Sequence, residues 1–304
     1  MTDKLDNFKH KGFRSGFAAI IGAPNVGKST LLNRILGEKI AITSKKPQTT
    51  RNRILGIHHR SSSQIIFVDT PGMHKAKGKL NEIIVETAVS TMADVDIILI
   101  VVDLSGHDKE SEKFVVEKVK KENRPVVLAL NKTDLVKGEK VLRLIDNWSR
   151  VYPFKSILPV SAKHGNQVEE LLAVMEQLLP EGPPLFPEDS LTDQPERFIV
   201  AEMIREKVFR LTGQEIPYST AVTIDTFSEE KKGSLVKIEA VIHVERNSQK
   251  GMVIGKKGSK LKQIGQDARK EIERMLQAKV FLKLFVRVQK NWSSDTKALR
   301  KLGY

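Results

Sequence analysis

Five short apolar runs recur along the first half of the chain: FAAII (17–21), SQIIFVD (63–69), IILIVVD (97–103), PVVLALN (125–131) and SILPVSA (156–162). Helical patterns fill the gaps between them, including Lys28 to Leu36, ESEKFVVEKVKK (110–121) and NQVEELLAVMEQLL (166–179). A strand with one wet face alternates apolar and polar residues, whereas these runs are apolar almost throughout. They are therefore expected to be buried on both faces, in a mainly parallel sheet covered by helices.

That pattern stops at LPEGPPLFPEDSLTDQPER, where Pro180, Pro183, Pro184, Pro187 and Pro195 exclude both helix and central strand. The domain boundary is expected here, near residue 185, with a first domain over 1–180, a linker over 181–197 and a second domain over 198–304. Beyond it the order becomes helix (about 196–212), strand (219–227), strand (234–245), helix (260–277) and strand (278–290), a small α+β unit expected to close with a short helix. A length of 304 residues accommodates two such domains, since single cores rarely grow past about 250 residues.

The chain has no cysteine, which excludes disulfides and thiolate metal sites. Its seven histidines are scattered and form no metal-ligand pattern. The N-terminus has no apolar core of signal-peptide length, and the run Ile97 to Val102 is too short to span a bilayer, so a cytoplasmic protein is expected. The net charge of +14 is unevenly placed: residues 246–304 hold 16 basic and 4 acidic residues. Such a basic tail points to a polyanion partner, RNA, DNA or anionic lipid.

The polar residues that follow the apolar runs carry the chemistry, because ligands bind at the carboxyl ends of strands in sheets of this kind. After the first run comes Gly22-Ala23-Pro24-Asn25-Val26-Gly27-Lys28-Ser29-Thr30, which fits G-x-x-x-x-G-K-[ST]. Its glycines let backbone N–H groups and a helix N-terminus face a phosphate, Lys28 can reach the β and γ phosphates, and the Ser29 hydroxyl can ligate Mg2+. After the second run, Asp69-Thr70-Pro71-Gly72 offers a carboxylate to the Mg2+ shell and a Gly72 N–H to the γ phosphate. After the fourth, Asn131-Lys132-Thr133-Asp134 ends in a carboxylate able to accept both N1–H and the 2-amino group of guanine, a pair adenine lacks. After the fifth, Ser161-Ala162-Lys163 can support the base through its backbone.

A second motif stands far from these. In Met252 to Gly265, MVIGKKGSKLKQIG, an apolar Met252-Val253-Ile254 leads into Gly255-Lys256-Lys257-Gly258 and then a helix. That is a helix, a tight loop with two cations at its tip, and a second helix. Glycines there let the backbone approach a phosphodiester while the lysines neutralise it, as in KH domains, which clamp about four nucleotides of a single strand. Lys256 and Lys257 are expected on phosphate, with Lys260 and Lys262 as weaker candidates, and base choice is expected from an apolar groove beside Ile254 and Ile264.

The order P-loop, D-x-x-G, N-K-x-D, S-A-K resembles the GTPase superfamily, and the α-β-β-α-β unit resembles a type II KH domain. Joined in one chain with SKKPQTTR, DTPGMH, IPYS (216–219), VERNSQKGMVIG (244–255) and WSSDTKALRKLGY, they resemble the Era family of bacterial GTPases over nearly the full length. The resemblance implies a P-loop GTPase domain with a mainly parallel α/β sheet, followed by a smaller α+β type II KH domain. It implies a GTP/GDP switch that binds the 3′ end of small-subunit ribosomal RNA and assists assembly of the 30S subunit, with peripheral contact to the anionic inner membrane. DNA is not an expected partner, and a monomer is expected. ITSKKPQTTRNRILGI (42–57) corresponds to the first switch, in which Thr50, or alternatively Thr49, would close on Mg2+ and the γ phosphate. Where many GTPases carry a water-orienting glutamine this chain has Met73, and by resemblance Asn25 would help coordinate K+ against the phosphates, giving slow, K+-stimulated hydrolysis. Asn25, Lys28, Thr50 and Gly72 are therefore the expected catalytic set; His74 is not counted in it. GTP is expected to order Thr50 and the Gly72 loop and to change how the second domain sits against the first. The rival readings are an RNA chaperone with a nearly idle GTPase and a membrane-associated signalling GTPase.

Overall fold

The apolar runs of the first half become one six-stranded sheet. The computed structural model describes residues 12–44, 50–74, 79–106, 108–212, 220–230 and 235–302; Thr49, residues 216–219 and residues 303–304, named above, lie outside them. The strands are β1 (Arg14–Ile21), β2 (Ile54–His59), β3 (Ser63–Asp69), β4 (Ile97–Asp103), β5 (Val126–Asn131) and β6 (Ser156–Pro159). The helices between them are α1 (Lys28–Leu36), α2 (Lys79–Ala93), α3 (Lys109–Val119), α4 (Gly138–Ser149) and α5 (Val168–Leu178). The strand order is β2-β3-β1-β4-β5-β6, and every pairing is parallel except β2 with β3. Ile97 to Val102 in β4 and Val126 to Asn131 in β5 are buried residue by residue, as a sheet covered on both faces requires.

β2 is a sixth strand beyond the five expected. It falls in the segment expected to be wholly a switch, and its apolar residues Ile54, Leu55 and Ile57 are interrupted by Gly56. An antiparallel edge strand needs no apolar run of its own length, because β3 supplies the whole ladder from Ile54↔Asp69 to His59↔Gln64.

The Pro-rich stretch is anchored along this first unit, which reaches Asp193. Gln64 in β3 is the clamp. Its Oε1 accepts from the N–H groups of Leu185 (2.7 Å) and Phe186 (2.9 Å), and its Nε2 donates to the Phe186 carbonyl (2.7 Å). The Ile57 N–H donates to the Leu191 carbonyl at 2.9 Å.

The main segment of the second unit runs from Gln194 and contains α6 (Glu196–Leu211), β7 (Ala221–Glu229), β8 (Leu235–Val244), α7 (Asn247–Ile254), α8 (Ser259–Leu276), β9 (Lys279–Val288) and α9 (Thr296–Lys301). β7 pairs antiparallel with β8, and β8 pairs parallel with β9 from Leu235↔Lys279 to Val244↔Val288. The even-numbered residues of β8 and β9, such as Ile238, Ile242, Val280 and Leu284, join one core with Ile199 and Met203 of α6 and with Ile264, Ala268 and Ile272 of α8. The pleat turns the odd-numbered residues to the opposite face.

Candidate nucleotide site and nucleic-acid loop

The loops after β1, β3, β5 and β6 meet at one end of the first sheet. The P-loop leaves β1 at Gly22, and α1 begins at Lys28, one residue after Gly27 at φ 104. Gly27 is required by a close approach: a Cβ there would overlap the Asn131 amide, which comes in to donate from Nδ2 to the Val26 carbonyl at 2.8 Å. Asn131 Oδ1 accepts from the Ala162 N–H at 2.9 Å, so this one buried side chain ties the P-loop to the Ser161–Lys163 loop. Lys132 reinforces the same junction. Its Nζ donates to the Asn25 carbonyl at 2.9 Å and pairs with Asp103.

Ser29, Thr50 and Asp69 converge. The Ser29 hydroxyl donates to Asp69 Oδ2 at 2.8 Å and lies 2.9 Å from the Thr50 hydroxyl, whose own distance to Oδ2 is 3.5 Å. The other carboxylate oxygen, Asp69 Oδ1, is buried without a hydrogen-bond partner. Burial pushes the Asp69 carboxyl up to about 6, against the opposing pull of Lys28 and the two hydroxyls. Burial likewise lowers Lys28 to about 8, with Asp69 working in the other direction. A buried anionic oxygen short of partners, beside two hydroxyl oxygens, fits a hard divalent cation such as Mg2+. Lys28 is folded back, donating to the carbonyls of Gly22 (3.1 Å) and Ala23 (2.9 Å).

The remaining expected residues assemble around these. The Thr70 hydroxyl donates to the Ile20 carbonyl at 2.8 Å, and Pro71 and Gly72 follow as buried loop. The Met73 N–H donates to the Gly22 carbonyl at 3.0 Å, which holds the Gly72 loop to the P-loop. The Met73 side chain is fully buried in the core, so the position at which many GTPases carry a water-orienting glutamine turns inward here. The His74 ring bonds the Gly72 carbonyl at 3.1 Å. Asn25 is exposed on the loop in the left-handed region (φ 64), whereas Ala23 and Val26 are buried. Pro24 and Thr30, which continues α1, are half-buried.

Asp134 is positioned by Ser161, whose hydroxyl donates to Oδ1 at 2.6 Å and holds the carboxyl below its usual value. Two contributors were missed in the sequence. Arg34 of α1 donates to the Ala162 carbonyl at 3.2 Å and to that of Lys163, and Asp103 receives Lys132. Asp103 ends the IILIVVD run, so the strand-end signal that marks Asp69 marks it as well.

In the second unit, α7 ends at Ile254 and α8 starts at Ser259, with Gly255 to Gly258 between them. Gly255 has φ 72, and a Cβ there would lie 2.7 Å from the Lys260 Cβ and 3.0 Å from its backbone nitrogen. Lys256 and Lys257 are exposed at the tip, Lys262 is exposed on α8, and Lys260 is half-buried. Ile264 does not line a groove: it is fully buried on the 264, 268, 272 stripe of α8, which faces the core. Ile254 is half-buried and remains the apolar residue beside the loop.

Among the described residues there is no cluster of three metal-ligating His, Asp or Glu side chains, and no helix long and apolar enough to cross a membrane.

The comparisons follow the same division. A family described as 50S ribosome-binding GTPase matches residues 17–132, and the KH domain family matches residues 215–293. The GTPase Era of Geotalea uraniireducens is 56% identical over 97% of this chain and 99% of its own length. That of Geobacter metallireducens is 55% identical over 96% and 98%. A crystal structure of Era in complex with MgGDPNP and nucleotides 1506–1542 of 16S ribosomal RNA superposes with a TM-score of 0.92 at 40% identity, covering 96% of this chain and 99% of that one. An Aquifex aeolicus Era variant bound to GDP and aluminium fluoride gives 0.92 at 39%, with the same coverage.

Proposed function

The chain belongs to the Era family of GTPases, and from that membership we propose a GTP-controlled switch that holds the 3′ end of small-subunit ribosomal RNA in its KH domain and times a step of 30S assembly. The observation that carries this reading is the presence, in one chain, of the Ser29–Thr50–Asp69 oxygen cluster and the Gly255–Gly258 loop between two helices.

On this reading Ser29, Thr50 and Asp69 hold Mg2+, which supplies positive charge to the β and γ phosphate oxygens. Lys28 exchanges the Gly22 and Ala23 carbonyls for those phosphates, an exchange its folded-back pose makes available. The Gly72 N–H accommodates the γ phosphate. Asp134, oriented by Ser161, selects guanine, and the Ala162 and Lys163 backbone supports the base. No side chain at residue 73 can orient water, because Met73 is buried. The charge that a finger residue supplies in other GTPases would come from K+ at Asn25, giving slow hydrolysis faster in K+ than in Na+. Equal turnover in the two salts, or an Asn25→Ala enzyme that keeps its K+ response, would remove that part.

Lys256 and Lys257 meet phosphate, and the glycines bring the backbone close. The test is binding of a short strand matching the small-subunit RNA 3′ end against a scrambled strand. Wild type should select the matching strand. Gly255→Asp should lose it, and Lys256→Ala/Lys257→Ala should weaken it. Unselective binding unaffected by these changes would overturn the reading. A peripheral contact with an anionic membrane is a second reading, favoured by the 16 basic against 4 acidic residues over 246–304. Sedimentation with anionic vesicles tests it.

A further inference from the structure

The uncovered face of β9 carries a pattern that neither the nucleotide site nor the Gly255–Gly258 loop uses. Because even-numbered residues of β9 enter the core, Lys279, Phe281, Lys283, Phe285 and Arg287 fall together on the opposite face, and all five are exposed. Phe281 is 53% and Phe285 42% exposed, among the largest apolar exposures of the described residues. Lys283 Nζ lies 4.8 Å from the Phe285 ring centroid, a cation–π distance. Successive members of the stripe are about 6.6 Å apart, two residues of strand rise.

β9 is an edge strand of the β7-β8-β9 sheet. Edge strands commonly carry lysines to prevent pairing with another chain, which accounts for Lys279 and Lys283. It does not account for two half-exposed phenylalanines between them, which would promote association. Cations alternating with flat aromatic rings match a single-stranded nucleic acid, whose phosphates need neutralising and whose bases stack on any aromatic face. The stripe also adjoins the helix that leads into the glycine loop. Asn247 and Lys250 of α7 wall an open hollow of about 560 Å3 whose other lining includes Phe285 and Arg287. Asp225 and Glu239 line the same hollow; Glu239 stands on β8 as the register partner of Lys283 and is paired with Lys237 at 3.4 Å.

We propose that this stripe is a second single-stranded RNA contact, a stacking face that takes nucleotides beyond those held at Gly255–Gly258. It rests on the RNA-binding reading above, and the test separates the two. Full-length protein is titrated with a short strand that fills only the glycine-loop clamp, and with the same strand carrying an unpaired extension. Wild type should bind the extended strand more tightly. Phe281→Ala/Phe285→Ala should leave the short strand within about twofold but weaken the extended one about tenfold or more. Lys283→Glu, with a thermal melt to verify folding of both variants, should weaken the extended strand and flatten its salt dependence. Equal affinities for the two strands in wild type, or an extended strand indifferent to both variants, would overturn the proposal. Loss of binding to anionic phosphatidylserine vesicles with unchanged RNA affinity would also overturn it and assign the stripe to a membrane. If Gly255→Asp spared the short strand, the glycine-loop reading itself would fail, independently of the stripe.

Discussion

The chain carries two candidate phosphate loops, built from the same ingredients in opposite surroundings. Each places glycines and lysine at the start of a helix, at Gly22–Lys28 before α1 and at Gly255–Gly258 before α8. In the first, Lys28 is 6% exposed, held by two carbonyls, and lowered by burial to about 8. Asn131 and Lys132 lock the loop from behind. In the second, Lys256 and Lys257 stand in water, and the loop is shaped by its own glycine geometry. A desolvated, preorganised pocket suits a compact ligand with several charges and a metal ion, since electrostatic interactions strengthen as water is excluded. An open loop suits a long polymer that enters from the side, one phosphate at a time.

If that contrast is right, perturbations of the two loops differ in size. Lys28→Ala should have the largest effect, about 2–5 kcal/mol of nucleotide affinity, because it strips a buried charge and leaves Asp69 unopposed; calorimetry with a GTP analogue reads it. Gly255→Asp comes next. It forces a side chain onto a φ 72 backbone against Lys260, and should cost RNA binding tenfold or more in a filter or anisotropy assay, with GTP affinity of the free protein unchanged. Asp134→Asn should cost about 1–3 kcal/mol of guanine over adenine discrimination, measured by competition between the two nucleotides.

Acidity gives a smaller and signed effect. On the proposed reading Asp69 would ligate Mg2+ only when ionised, and its carboxyl is raised to about 6. Mg2+-dependent nucleotide affinity should therefore fall as pH drops through 6, approaching tenfold per unit below it, as titration with a GTP analogue across that range would read. The smallest effect is expected at the open loop. Lys256→Ala should weaken RNA binding uniformly across sequences and reduce the salt slope by about 1.

The first unit was legible because burial on both faces leaves continuous apolar runs, and because its chemistry sits where each run ends. β3, β4 and α1 begin and end where the pattern places them. What escaped has a physical cause in each case. β2 borrows its ladder from β3, so its own sequence, broken at Gly56, shows little. Met73 follows Gly72 in a loop, where no periodicity tells that its side chain turns into the core. In the second unit α6, ERFIVAEMIREKVFRL, has charges on every side and yet buries Arg205 and Glu206 completely. Arg205 meets Glu202 through two hydrogen bonds, and Glu206 pairs with Lys207 and Arg210, so the charges are buried as pairs that no apolar stripe announces. Ile264 was misplaced for the opposite reason: nearness to the glycine loop in sequence outweighed its i, i+4, i+8 relation to Ala268 and Ile272.

The central claim is that the two loops are thermodynamically linked, and one titration tests it. The affinity of the intact protein for the small-subunit RNA 3′ end is measured with Mg2+ and a nonhydrolysable GTP analogue, then with GDP. The account predicts tighter RNA binding with the GTP analogue, and by linkage an equal factor when the order of ligands is reversed. Identical RNA affinities in the two nucleotide states would contradict it.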